Sequence, residues 1–543
     1  MLQRFLSEKT ARYLSLVVGI LVMVLSGSLF SFASFGTDIK ARFGFTSSNI
    51  NLLAAIGDTS MYVGFLIVGP IYDHFGERWT LITASVLTFL GYGGMYIAYA
   101  KAWGGLGFNM VLYCLAGVAS TAGYLAALAA NMANFPASTA GTVSGILLAF
   151  FGLSATLFSQ IKTHLFSGQN EDVDPNAKLR GTKATQDFLL FLTIITTAIY
   201  LIAAVIMVKI KKPSKPVKTV DSGSSSTTTV NEIDAKSRPV QAMSRTTTFT
   251  PSINNDREGT NRTNGDETPE TKEETKVVMK NDDDDSWFNP YLTSVDMKPK
   301  ALLFEATFWF FVIAQVSQQG FSYINNVDSI VHAILDPNDP STASRAVSMT
   351  GLHVTLISVG NCIGRLASGV ISDWVISRHR ISRSIFFFGS EILILIPLLI
   401  MGFSKPIVTT ASLIASSCLI GATYGATGAL FASMTRDFFG ERYYGTNCGM
   451  VMVLNGFNPF IANAIYGVFY DRAVKNMDPS LIAASSAGAS QDGHVTCIGL
   501  ACYNTSFKLA SLLQLVCVLA AGLLFWAHMR KGRMLAQQRK ISA

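Results

Sequence analysis

Gly69-Pro70-Ile71-Tyr72-Asp73 ends one apolar segment of the chain, and Gly369-Val370-Ile371-Ser372-Asp373 ends an apolar segment in its second half. Each stretch places a glycine four residues before an aspartate, at the point where a hydrophobic run gives way to a polar loop. Two segments that end in the same way indicate that the chain contains two copies of one structural unit.

Small residues extend the match between the two halves. Phe135, Gly141-Thr142 and Gly145 are repeated in the same order and at a constant offset by Phe439, Gly445-Thr446 and Gly449. The G-x-x-x-G spacing places both glycines on one helix face, where a neighbouring helix can approach closely. The shared order predicts two repeats that run in the same direction.

The composition excludes an ordinary soluble enzyme. Of 543 residues, 50% are hydrophobic and 14% are charged, against roughly 25% charged in an average soluble domain. The apolar segments are long enough to cross a bilayer as helices of about 20 residues. The net charge of +7 arises from Lys and Arg that lie between these segments, which favours membrane topology over nucleic-acid binding.

We predict twelve transmembrane helices in an all-α membrane protein. Six precede a polar stretch, at 12–34, 50–71, 79–100, 107–132, 140–163 and 187–209. Six follow it, at 301–326, 347–371, 383–403, 407–434, 446–470 and 507–529.

The predicted organisation has four parts, which are an N-terminal six-helix half (1–210), a linker (211–300), a C-terminal six-helix half (301–530) and a tail (531–543). The linker is rich in Ser, Thr, Asn, Lys and Glu and has no apolar periodicity. Such a segment buries too little apolar surface to offset its ordering entropy, so we expect it to be disordered and cytosolic. The bias of Lys and Arg places both termini in the cytosol.

The loop after the first of the two opening stretches carries a family resemblance. Gly69-Pro70-Ile71-Tyr72-Asp73-His74-Phe75-Gly76-Glu77-Arg78 resembles the G-x-x-x-D-R-x-G-R-R signature of the major facilitator superfamily. It departs from that signature at His74 and at Glu77. The resemblance implies that this loop latches one access state, so we assign a gating role to six residues. They are Gly69, Asp73, Gly76, Arg78, Gly369 and Asp373.

Other motifs resemble the nodulin-like branch of that superfamily and the fungal monocarboxylate-transporter homologues. They are Asn134-Phe135-Pro136, Phe439-Gly440-Glu441-Arg442-Tyr443-Tyr444-Gly445-Thr446 and Cys497-Ile498-Gly499-Leu500-Ala501-Cys502-Tyr503. The resemblance spans nearly the whole chain outside the linker. It implies a twelve-helix facilitator and leaves the substrate open.

Ionisable residues within apolar spans are costly, so those that occur usually face a cavity or a partner. Asp58 and Glu391 lie near the middle of their spans and are the predicted proton-coupling residues, the alternative being a structural role. Arg365 matches an arginine that the resemblance ties to anion binding, but Asn361 stands where that pattern has an aspartate. We therefore weigh Arg365 as a substrate contact against Arg365 as a structural partner of cytosolic-end acids such as Asp373.

Uncharged polar and aromatic residues complete the predicted substrate site. The seventh span is unusually polar, and we expect it to face the central cavity and to unwind near Gly320. The full set of predicted substrate-binding residues is Arg365, Asn361, Gln319, Asn325, Tyr124, Tyr424 and Asn455.

Two of the seven cysteines differ from the others because they lie in a polar loop. Cys497 and Cys502 are predicted to form a disulfide if that loop faces an oxidising compartment. We predict no metal site, no cofactor and no catalytic residues, since the sequence contains no H-E-x-x-H or G-x-S-x-G motif.

The expected function is secondary active transport of a small polar solute by alternating access, with a lean to organic anions or monocarboxylates and with protons as the coupling ion. The alternative is a transporter-like membrane receptor or nutrient sensor with little flux. The expected partners are the lipid bilayer, a small-molecule solute and protons, with no nucleic acid, and the chain is expected to be monomeric. The sequence leaves both the plasma membrane and the vacuolar membrane open as its location.

Overall fold

The computed structural model describes residues 7–166, 177–207, 209–210, 291, 296–335, 341–403, 409–478 and 497–542. The described residues are helical and contain no strand. Apart from Tyr291 and 296–300, the predicted linker lies outside them.

The N-terminal half contains spans 1 to 6. Span 1 begins at Glu8–Ser26, continues as a 3-10 turn at Gly27–Ser34 and ends with a helix at Gly36–Phe43. Spans 2 and 3 lie within Ser47–Lys101, span 4 is Leu106–Asn134, span 5 is Ala140–Ile161 and span 6 is Ala177–Ile206. The Ser7 side chain caps the start of span 1, where its Oγ accepts from the Thr10 amide at 3.2 Å.

Ser47–Lys101 is one continuous stretch of 55 residues, which as a straight helix measures roughly 80 Å. It holds two spans because Gly76 has φ 76° and ψ −176°, a conformation that breaks the helix. Only glycine adopts this backbone region without strain, which explains why the motif from Gly69 to Arg78 has a glycine at position 76. Span 2 therefore ends just before Gly76 and span 3 begins just after it.

The C-terminal half contains spans 7 to 12. Span 7 consists of three helices, Ala306–Ser317, Gly320–Ile324 and Val327–Ile334. Span 8 is Thr342–His379, span 9 is Ser384–Phe403 and span 10 is Thr410–Phe439. Span 11 is divided into Tyr444–Asn455 and Asn458–Lys475, and span 12 is Asn504–Ser542.

Nine helices of the described residues are long and apolar enough to cross a membrane by themselves. Asn49–Lys101 accounts for two spans, and the divided spans 7 and 11 supply the remaining two. The architecture is therefore twelve helices in two six-helix repeats. The interruption predicted near Gly320 is confirmed, because Gln318 is extended and the helix resumes at Gly320.

The two halves approach each other through glycines. Gly69 of span 2 packs on Gly445 of span 11, so that an added Cβ at Gly69 lies 2.6 Å from the Gly445 carbonyl oxygen. Gly145 of span 5 packs on Arg365 of span 8 in the same way, at 2.5 Å. These separations leave no room for a side chain, so the repeated glycines predicted from the sequence form the contact between the halves.

Two residues that precede the predicted boundary at residue 300 contact the C-terminal half. Asp296 Oδ1 accepts from the amides of Glu441 and Arg442 at 2.9 and 3.0 Å, and the Met297 amide donates to the Phe439 carbonyl at 3.0 Å. These bonds fix Asp296 and Met297 against the loop between spans 10 and 11. At the other end of this half, span 12 continues as a helix through the predicted tail to Ser542.

The loop before span 12 contains a disulfide between Cys497 and Cys502. The amide of Cys497 donates to the hydroxyl of Tyr470 at 3.1 Å, and the amide of Gly499 donates to the Ala333 carbonyl at 2.9 Å. This loop therefore joins the ends of spans 7, 11 and 12.

Candidate functional site

One face of span 2 lines the contact between the halves. Asp58, Tyr62, Phe65, Gly69 and Asp73 are spaced by three or four residues, which places them on one side of the helix. The last four of them contact or approach span 11. Asp58 is exposed and lies one turn beyond Tyr62 on the same face, and Tyr62 is close enough to interact electrostatically with both Asp58 and Arg365.

Span 8 presents the corresponding face to span 5. Arg365, Gly369 and Asp373 follow one another at four-residue spacing, and all three contact span 5. Arg365 stands at the level of Phe65, and Asp373 at the level of Asp73. Asp58 and Arg365 therefore both lie near Tyr62, on two equivalent helices.

Asp73 is bound by the first turn of span 11. Its Oδ1 accepts from the Gly445 amide at 2.8 Å, and its Oδ2 accepts from the Thr446 amide and hydroxyl at 2.7 and 2.6 Å. Amides at a helix start lack partners within the helix and carry partial positive charge, so a carboxylate is favoured there. We call this contact the first latch.

Asp373 makes the equivalent contact with the first turn of span 5. Its Oδ1 accepts from the Gly141 amide at 3.0 Å, and its Oδ2 accepts from the Thr142 amide at 2.6 Å. We call this contact the second latch. Each half thus contributes one aspartate and one helix start, and both latches lie at the same end of the molecule.

The second latch contains an arginine that the first lacks. Arg383, which is 1% exposed, donates from Nη2 to Asp373 at 2.6 Å and also forms an ion pair with Asp437 of span 10. The same Nη2 donates to the Ala137 carbonyl of the N-terminal half at 2.7 Å. Arg383 therefore ties spans 8, 9 and 10 to the start of span 5.

The predicted alternative in which Arg365 pairs with Asp373 is wrong, because Arg383 occupies that role. Arg365 instead reaches across to span 5, where its Nη1 donates to the Leu148 carbonyl at 2.5 Å. Its Nε has no hydrogen-bond partner within the described residues. Its guanidinium therefore retains an unused hydrogen-bond donor, Nε, at the contact between the halves.

Three tyrosines surround this guanidinium, namely Tyr62, Tyr124 and Tyr424, each close enough to interact with it electrostatically. Tyr124 packs on Phe65 and Phe151, with ring centroids 5.7 and 5.1 Å apart. Tyr424 packs on Phe321 of span 7 at 5.0 Å. The structure thus brings the predicted Tyr124 and Tyr424 together with Arg365.

The other predicted substrate residues have different partners. Gln319 is fully buried, and its side chain accepts from Ser322 at 3.0 Å within the interruption of span 7. Asn325 donates to Asn463 of span 11 at 3.2 Å, and the half-buried Asn455 ends the first helix of that span. Asn361 packs its backbone against Gly425 of span 10.

The remaining predicted residues differ in environment. Glu391 is fully buried, in contrast to the exposed Asp58. Among the gating residues, Arg78 is exposed, and Gly369 packs closely on the backbone of Gly141.

Three functional candidates were not predicted from the sequence, namely Arg383, Asp437 and Gln514. Arg383 had one usable signal, since it is the last charged residue before span 9, in the second repeat's counterpart of the signature loop. Gln514 is a lone amide in an apolar span, which is a weaker signal.

Comparisons with known sequences agree with this architecture. A protein named Probable transporter MCH1 from Gibberella zeae is 24% identical over 575 residues, covering 98% of this chain and 92% of the relative. A protein named Probable transporter mch1 from Aspergillus fumigatus is 22% identical over 580 residues, covering 97% and 88%.

Solved structures show the same fold. The E. coli fucose:proton symporter FucP superposes with a TM-score of 0.53 at 14% identity, covering 94% of this chain and 99% of FucP. The proton:xylose symporter XylE gives a TM-score of 0.53 at 9% identity, covering 94% and 95%. The family model described as Major Facilitator Superfamily matches residues 16–463, and this chain, a multi-pass membrane transporter, belongs to that superfamily.

Proposed function

We propose that this transporter moves a small organic anion through the space between its halves and that Arg365 binds the anion. The observation that carries the proposal is the Nε of Arg365, which has no partner within the described residues although it is buried. A buried donor without a partner is costly, so a ligand acceptor at this point is favoured. Arg offers a planar fork of donors suited to a carboxylate.

Alternating access is the proposed mechanism, with the two latches holding one end closed. The contacts between halves described above lie between the latches and the level of Arg365, where Gly69, Gly145 and Gly369 allow backbone contact. Rocking the halves about this level breaks the latches and opens the closed end.

We place the latch end in the cytosol. Basic residues cluster near it, among them Arg78, Lys209, Arg383, Arg436 and Arg442, and an excess of such residues marks cytoplasmic loops. The disulfide loop lies after span 11, so this orientation puts it on the opposite side, in an oxidising compartment. Both termini and the linker are then cytosolic.

Removing the charge of Arg365 is expected to remove anion binding. In a thermal-shift screen of purified protein, small carboxylates should raise the apparent Tm of the wild type. In Arg365→Gln, at least ten times more carboxylate should be needed for the same increase in Tm, because a hydrogen bond to a charged group contributes about 1.5–3 kcal/mol. Arg365→Lys, which keeps the charge, should retain part of it.

Two controls make the screen specific. Neutral amides of the same carboxylates should give no stabilisation, and Arg442→Gln, at an exposed arginine, should respond like the wild type. Equal stabilisation by acids and amides would contradict the proposal of an anion site. Counterflow of the best-binding acid into proteoliposomes then separates transport from sensing.

We also propose Asp58 as a proton-coupling residue, because it is an exposed carboxyl within a span and lies, like Arg365, near Tyr62. Asp58→Asn keeps the size of the side chain but cannot titrate. Accumulation of the acid driven by a pH gradient should be lost in this variant, while exchange across equilibrated vesicles should persist. Wild-type accumulation by Asp58→Asn would remove Asp58 from the coupling mechanism.

A further inference from the structure

A buried polar network surrounds Glu391 at the interruption of span 7. Glu391 Oε1 accepts from Gln318 Nε2 at 2.7 Å, and Oε2 accepts from Gln514 Nε2 at 2.9 Å. All three residues are less than 5% exposed. Spans 7, 9 and 12 therefore meet at one carboxyl group.

The orientation of Gln514 is fixed by its partners. Its Oε1 accepts from the backbone amide of Gln319 at 2.7 Å, and a backbone N–H can only donate. Its Nε2 then faces Glu391, donating both to the carboxyl and, at 3.0 Å, to the Glu391 carbonyl. Rotating this amide leaves the Gln319 amide, at the restart of the helix, without its acceptor.

The orientation of Gln318 is set more weakly. Its Nε2 also donates to Thr427 Oγ1 at 3.1 Å, and that hydroxyl in turn donates to the Tyr424 carbonyl at 2.9 Å. Rotation of the Gln318 amide costs only the contact with Thr427. Of the two amides that face Glu391, Gln318 is therefore the one able to respond to a change in the carboxyl group.

Both oxygens of Glu391 face donors, an arrangement that suits the ionised carboxylate. The titratable groups beside it are the Tyr424 hydroxyl from span 10 and the Cys517 thiol from span 12, while span 7 contributes the amide of Gln318. None of the ion pairs within the described residues includes Glu391. A buried carboxylate without a cation is costly, which favours taking up a proton.

We propose that Glu391 is a proton-binding site and that its protonation releases the interruption of span 7. The proton adds to Glu391 Oε1, and the new O–H needs an acceptor. The Gln318 amide therefore rotates so that its own Oε1 accepts from this O–H, and its hydrogen bond to Thr427 is lost. Gln514 stays in place as the anchor. The proposal builds on the transport function above, to which it adds a second proton site besides Asp58.

The released segment leads directly to the proposed anion site. Gly320–Ile324 follows Gln318 and Gln319, and its Phe321 packs on Tyr424, which lies beside Arg365. Protonation of Glu391 therefore changes how firmly the contact between Phe321 and Tyr424 is held beside the guanidinium. This change can be measured without knowing the transported solute.

The test is amide hydrogen exchange of the full chain in lipid nanodiscs between pH 5 and pH 9, corrected for the intrinsic pH dependence of exchange. Peptides that cover 317–324 should lose at least tenfold protection in the wild type as the pH falls. Glu391→Gln, whose amide both donates to Gln318 and accepts from Gln514, should show the low protection at every pH. Glu305→Gln, at the start of span 7, should follow the wild type.

A second variant keeps the test informative if Glu391→Gln fails to fold. Gln318→Leu leaves the carboxyl ionisable but removes the amide that responds to its protonation, so the pH transition in peptides that cover 317–324 should be lost. A wild-type pH transition in Gln318→Leu would contradict coupling through Gln318.

Wild-type protection that is independent of pH, or a pH transition that persists unchanged in Glu391→Gln, would overturn the proposal. Failure of the anion screen with an intact transition in exchange would overturn the proposed function of Arg365 and leave this site standing.

Discussion

Gly69→Ala is expected to prevent the latch end from closing. An added Cβ lies 2.6 Å from the Gly445 oxygen and 2.8 Å from its carbonyl carbon, and both are backbone atoms that cannot rotate away. The halves must separate at this point. The hydrogen bonds of Asp73 in the first latch, which lies one turn further along span 2, should then become longer. The native thiol of Cys448, fully buried one turn after Gly445, should then become reactive.

The measurement is the rate of alkylation of Cys448 by a maleimide, read from its peptide by mass spectrometry. We expect at least a tenfold increase over the wild type and a matching loss of transport. Gly428→Ala in span 10 is the matched control, because a Cβ there meets nothing within 4 Å. That variant should be neutral or slightly more stable, since alanine is favoured over glycine within a helix by about 0.5–1 kcal/mol. Slow alkylation in Gly69→Ala would show that the closed end tolerates the extra atom.

Arg383→Gln should cause the largest loss of stability. The change leaves Asp373 and Asp437 buried, 6% and 7% exposed, without the cation that joins them. Removing one member of a buried ion pair costs about 3–5 kcal/mol. The apparent Tm in detergent should fall by several degrees, and the link to the Ala137 carbonyl of the other half is lost as well.

A double-mutant cycle separates the charge effect from packing. Asp437→Asn introduced into Arg383→Gln should restore part of the stability, because one uncompensated carboxylate is removed. Arg378→Gln, at an exposed arginine in the last turn of span 8, should change the Tm little. Equal losses in Arg378→Gln and Arg383→Gln would contradict a specific role for the buried ion pair.

The sequence was sufficient for the architecture because repeated residues sit where the halves meet. Asp73 and Asp373 were recognisable as a pair, as were the glycines in the first two turns of spans 5 and 11. The spacing of the glycines also predicted that they form the contact between the halves, since small residues are needed wherever two backbones approach closely. The polar character of span 7 likewise predicted its interruption, because extended backbone in a membrane needs side chains that bind its free groups.

The partners of these residues were not predictable in the same way. Asp73 and Asp373 bind backbone amides, and Arg365 binds the Leu148 carbonyl, and a backbone group leaves no signature in the sequence. Arg383 pairs with Asp437, which lies in another span, so proximity depends on how the helices pack. The pairing of Arg365 with Asp373 was wrong for this reason, because both lie on span 8 but a third residue provides the cation.

The two latches have a consequence for how the closed end comes apart. They are exchanged by a pseudo-two-fold rotation that maps Asp73 onto Asp373 and the start of span 5 onto the start of span 11, so the halves meet as an isologous pair. In such a pair a rigid rotation of one half strains both latches at once, and neither releases alone. Under the alternating-access mechanism proposed above, opening is therefore a single cooperative event. Arg383, which belongs to the second latch, sets the energy of that event without dividing it into two steps.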